Sequence, residues 1–113
     1  MTQVNYTELR FKYERIAYLK LQLSTRPDWA KAGCQRIYEY QTSAEQAAGS
    51  TRDHNNVGFS GADGEILSSF AEQINGGRFI GSPKQMEILF MKMPKYAKQL
   101  DAIAQAKLQE NVS

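Results

Sequence analysis

The sequence predicts an all-α fold, a single compact domain of four or five helices, and three observations carry that prediction. Apolar residues recur at three- and four-residue steps along most of the chain, no segment alternates with period two, and helix start and stop signals punctuate the pattern. At 113 residues and 42% hydrophobic, the chain suits one modest core. The reading is one domain over residues 1–113, with a core at about 6–104 and a frayed tail at 105–113.

The first helix is read from Tyr6 to Leu23, with Leu9, Tyr13, Ile16, Leu19 and Leu23 on the apolar side and Arg10, Glu14, Arg15 and Lys20 on the wet side. Tyr18 and Leu21 broaden that stripe, so this helix either packs on two sides or pairs with a second copy. Pro27 disfavours helical geometry in the residue before it and suits the first turn of a new helix, where Asp28 opposes the positive end of the dipole. The second helix carries Trp29, Gly33, Ile37, Tyr40, Ala44 and Ala47 on one face. Gly33 costs about 1 kcal/mol against alanine within a helix, which points to a close helix crossing there. Gly49 caps its end.

The third helix starts from Ser60 or Asp63, buries Ile66, Leu67, Phe70 and Ile74, and stops at Asn75-Gly76-Gly77. Ser82-Pro83-Lys84-Gln85 spells a capping box for a fourth helix with Met86, Leu89, Phe90 and Met93 on its buried face. Pro94 clashes with a straight continuation, so a break is predicted at Met93 before Tyr96, Ala97, Leu100, Ile103 and Ala104 resume the pattern.

Between the second and third helices lies a long loop, Gly49 to Gly61, which is predicted to be ordered. Val57, Gly58, Phe59 and Asp63 are read as its anchors. The glycines at 58 and 61 supply unusual backbone angles, and Arg52, His54, Asn55 and Asn56 form a polar tip able to meet a partner.

Chemistry by catalysis is poorly supplied. One cysteine and one histidine cannot furnish a zinc site, so no metal is predicted. Cys34 reads as a small buried filler, and no phosphate-binding or dinucleotide motif is present. The carboxylates Glu39, Glu45, Asp63, Glu65 and Glu72 are expected on solvated helix faces. The sequence therefore predicts a protein that is not an enzyme and needs no cofactor.

Charge is segregated: residues 1–26 hold five basic and two acidic groups, 27–77 hold three and seven, and 78–113 hold six and three. Basic ends that pack together could present a positive face to a polyanion. Arg78, Lys84, Lys92, Lys95 and Lys98 are the candidate nucleic-acid contacts. A single cysteine and the lack of a signal-peptide pattern or an apolar span predict an intracellular protein with no membrane partner.

Five stretches also resemble a small bacteriophage and prophage module: Ile37–Gln46, Asn56–Asp63, Leu67–Gln73, Ser82–Gln85 and Met93–Leu100. That module reads Gln-Thr…Glu-Gln, Asn-Gly-x-Gly-Phe…Asp, then Lys-Gln…Lys-Tyr…Gln-Leu, and the likeness covers roughly residues 29–100. This chain departs at Asn55-Asn56-Val57, where the module has Asn-Gly, and around Gly64 and Phe79-Ile80-Gly81. The resemblance implies a helical fold and a place in the cytoplasm of an infected bacterial host, either free-standing or beside DNA-processing proteins. It implies no activity. Two binding roles are expected: contact with nucleic acid, or inhibition of a host enzyme such as a defence nuclease, of the anti-restriction or anti-CRISPR type. A homodimer through the first helix is a third expectation.

Overall fold

The computed structural model describes residues 6–48 and 58–112. Among the described residues there are five α-helices: α1 (Lys12–Thr25), α2 (Pro27–Ala48), α3 (Gly61–Asn75), α4 (Pro83–Lys92) and α5 (Ala97–Val112). Short 3-10 turns occupy Tyr6–Glu8 and Met93–Tyr96, and no strand occurs among the described residues. The all-α class is thus as predicted.

The core gathers Leu19 and Leu23 of α1, Ala30, Cys34 and Ile37 of α2, and Leu67, Phe70 and Ala71 of α3. Leu89 of α4, Met93 and Tyr96 of the second 3-10 turn, and Ala97 and Ile103 of α5 complete it. Gly33 lies where four elements meet. A Cβ there would stand 2.9 Å from Leu23 Cδ2, 3.2 Å from Leu100 Cδ1 and 3.2 Å from Met93 Cε, so the close approach predicted for this glycine is real. Across the α2–α3 seam, buried Cys34 donates its thiol proton to the Leu67 carbonyl at 3.3 Å. Burial pushes that thiol up to about 12.

Local signals set several boundaries. Ser82 accepts from the Gln85 backbone N–H at 3.3 Å, while the Gln85 side chain accepts from Ser82 and Gly81, closing the capping box. Pro94 breaks the helix into a 3-10 turn at Met93–Tyr96, as its ring and missing N–H require. Gly77 and Gly81 both take a φ of +72°, a conformation that suits glycine, on either side of Phe79. Phe79 packs edge-on against Phe70 at 5.5 Å, which fixes the α3–α4 turn, while Ile80 points to solvent.

Some expectations need correction. The first helix is not continuous from Tyr6: a 3-10 turn precedes it, and α1 starts only at Lys12. Tyr13, assigned to the core stripe, is 72% exposed and stacks on exposed Phe11 at 5.8 Å. Helix α5 is assigned through residue 105 as far as Val112. There, Gln105 Nε2 donates to the Tyr6 hydroxyl at 3.0 Å, tying the helix to the start of the described chain.

Candidate functional site

The returning end of the loop is the best-furnished polar site in the fold. The chain re-enters the described structure at Gly58, whose φ of +149° favours glycine; a Cβ there would press within 2.9 Å of Gln41 Oε1. Two glutamines then grip the backbone. Gln99 accepts from the Gly58 N–H at 2.9 Å and donates to its carbonyl at 3.1 Å, and Gln41 accepts from the Phe59 N–H at 2.9 Å. Phe59 lays its ring edge-on against Tyr96, with centroids 5.5 Å apart. The Ser60 N–H donates to the Tyr96 hydroxyl at 3.0 Å, and Ser60 is the residue that opens α3. Gly61, the other glycine read as a special angle, sits in the first turn of α3, and a Cβ there would meet nothing.

Beneath this strap lies Asp63, 1% exposed. The expectation of a solvated carboxylate is overturned, because α3 turns this side chain inward onto the 3-10 segment. Asp63 accepts from the Tyr96 hydroxyl at 2.7 Å, from Lys92 Nζ at 2.9 Å and from Lys95 Nζ at 2.5 Å. Burial by itself would raise the Asp63 pKa. Donation to the charged form by Lys95, Lys92 and Tyr96 more than offsets that, holding the carboxyl well below the usual carboxylate range. The same bond lifts the Lys95 pKa, despite a smaller opposing effect of desolvation.

This arrangement revises the basic helix. Lys92 and Lys95 are not simply solvated cations: both are drawn onto one buried carboxylate, although the Lys95 side chain remains 52% exposed. Two ammoniums against one carboxylate leave a net charge of +1 at the surface. Lys98 is exposed in the first turn of α5, beside Gln99, while Lys84 faces Glu87 loosely at 4.0 Å. Arg78 is exposed in the α3–α4 turn, with its guanidinium folded back over Gly76. The structure gathers Gly58, Phe59, Asp63, Lys92 and Lys95 into one site. Arg52, His54, Asn55, Asn56 and Val57 lie outside the described residues.

Sequence reasoning missed a second polar cluster. Asp101 of α5, 2% exposed, receives Arg15 through Nε at 2.7 Å and Nη2 at 3.2 Å, together with the Tyr6 hydroxyl. Arg15 Nη1 also donates to the Arg10 carbonyl at 2.9 Å, bracing the segment that leads into α1. Arg15 had been placed on the wet side. The only signal available was a carboxylate among the apolar residues Leu100, Ile103 and Ala104.

Among the described residues no group of three or more His, Cys, Asp or Glu side chains could hold a metal ion. No described helix is long and apolar enough to cross a membrane. No family model matches this chain, and no curated protein or solved structure matches it.

Proposed function

We propose that this chain is a small accessory protein of phage or prophage type that serves DNA metabolism by binding nucleic acid in the cytoplasm of the infected bacterium. The observation that supports this reading is where the loop is tied down. Its returning end is fastened by Tyr96 and Gln99, the residues interleaved with Lys95 and Lys98. The described chain thus resumes beside the exposed Lys95 and Lys98, and Asp63 holds Lys95 and the half-buried Lys92 on one carboxylate. The residues that carry the resemblance to the phage module also meet here: Gln41, Gly58, Phe59, Asp63, Lys95, Tyr96 and Gln99 interlock. Those residues build the foothold; Lys98 and the tip make the contacts.

Binding of single- and double-stranded DNA across a salt series tests the proposal. Lys98→Glu and Arg52→Glu should each weaken binding and flatten the salt slope by about 1, because each removes one phosphate contact. Undetectable affinity at low salt defeats it.

A second reading has its own observation. Phe11 is 58% exposed and Leu21 59% exposed, and with Tyr13 they set large apolar surfaces at and along α1. Such surfaces suit a protein partner, as in an inhibitor of a host enzyme or defence nuclease, or a homodimer through α1. A stoichiometric host protein that co-purifies after nuclease treatment supports the inhibitor. A doubled solution mass that Tyr13→Lys abolishes supports the dimer.

A further inference from the structure

Between α1, α2 and α5 the helices leave a cleft of about 660 Å³. Its walls are apolar: Leu23 from α1, Trp29 from α2, and Leu100 and Ile103 from α5. Gly33 and Ala104 also line it. Trp29 and Leu100 are only half-buried, and Leu108 at the edge is 39% exposed, so the helices do not close over this surface. A cleft in this size range, mostly apolar with a few charged groups, is the ordinary form of a small-ligand site.

The charges at the cleft decide the ligand. Arg36 and Lys107 stand on opposite walls, from α2 and α5. Among the described residues Arg36 is engaged by its own-helix neighbour Glu39 alone, loosely at 3.6 Å. Asp28 is the single carboxylate of the lining, and it stands in the first turn of α2, where the positive helix end already answers its charge. Asp28 is also about 12 Å along the helix from Arg36, too far to neutralise it. The cleft therefore pairs an apolar trough with two cations, Arg36 and Lys107, against one carboxylate in its described lining.

We infer that this cleft binds a small amphiphile consisting of an apolar chain or ring system and one anionic group. The apolar body lies against Trp29, Leu23, Leu100 and Ile103, and the anion meets Arg36 or Lys107. This site is independent of the loop strap and of nucleic-acid binding, and it stands or falls without them.

The chain's only tryptophan lines the cleft, so its emission reports occupancy directly. The probes are decanoate, decanol and decyltrimethylammonium, each titrated below its micelle-forming concentration. Decanoate should give a saturable one-to-one change in emission and bind at least about fivefold more tightly than decanol, with the cationic probe weakest. The double variant Arg36→Glu/Lys107→Glu should erase the preference for decanoate while leaving decanol affinity unchanged. Ala32→Phe, at an exposed cleft position, should block all binding at an unchanged melting temperature. Equal affinity for the three probes overturns the inference, as does a response that never saturates. It is also overturned if emission depends on protein concentration without ligand, since a second copy would then be covering the cleft.

Discussion

Asp63 and Asp101 are the same device used in two places, and the difference between them separates presentation from construction. Each is a carboxylate almost without solvent exposure, and each receives a tyrosine hydroxyl and at least one cation. At Asp101 the cation is Arg15, which arrives through two nitrogens with its side chain only 13% exposed. At Asp63 the cations are lysines on flexible four-carbon stems, 28% and 52% exposed. The planar fork locks one geometry and hides the charge; the ammoniums satisfy the carboxylate and still face water. One cluster closes the molecule around its start, and the other holds charge at the surface beside a loop.

Deleting the two carboxylates gives the largest expected effects and separates the clusters. Asp101→Ala strands a guanidinium whose side chain is only 13% exposed and should cost about 3–4 kcal/mol in chemical denaturation. Asp63→Ala should cost less, about 1–3 kcal/mol, because both lysines can rehydrate. Equal losses at the two sites would erase the distinction. Beyond the loss shared by all amides that exchange through global unfolding, extra loss of hydrogen-exchange protection should fall on Gly58–Ser60 and the adjacent turn in Asp63→Ala, and on α1 and α5 in Asp101→Ala.

A smaller effect concerns acid. Asp63 has a lower pKa folded than unfolded. Its stabilisation is therefore complete above about pH 4, the unfolded value, and drains away as pH falls through the folded value below that. Asp63→Asn should flatten the acid limb of a stability–pH curve. An unchanged limb would mean that the lysines do not hold the ionised form. At the opposite extreme, Tyr6 has its pKa raised, first by burial and then by donation to Asp101. Stability from this phenol is full below about pH 10 and lost as pH rises through its folded value. Absorbance titration should show a late-ionising component that is missing in Tyr6→Phe.

The smallest expected effect is the most useful for function. Lys98→Glu should move stability by no more than about 0.5 kcal/mol, since the residue is exposed and outside both clusters. Whatever it does to DNA affinity is then a surface effect.

The two clusters were unequally legible in the sequence. Helices α2, α3 and α4 announce themselves through Pro27, Asn75-Gly76-Gly77 and the Ser82–Gln85 capping box, because those signals act over four residues and need no tertiary context. The break at Pro94 belongs to the same class. Phe59 was legible as an anchor because an isolated aromatic in a polar loop has little else to do. Asp63 was placed among the anchors, yet its burial went unread: Lys92 and Lys95 lie some thirty residues away, and helical spacing cannot say that they bend inward. The Asp101 cluster was invisible for the same reason in a stronger form, since Tyr6 and Arg15 reach it across most of the chain length. Periodicity also misassigned Tyr13, because the stripe was extended over a helix whose first turns are not there.

The sealed Cys34 has a practical consequence. With its thiol proton spent on Leu67 and almost no thiolate at neutral pH, it cannot react with an alkylating reagent until α2 and α3 part. The molecule thus carries a single built-in clock: the rate of modification counts separations of that seam. A variant that loosens the packing of α3 on α2 should make the clock run fast, and an exposed substitution such as Lys98→Glu should leave it at its original pace.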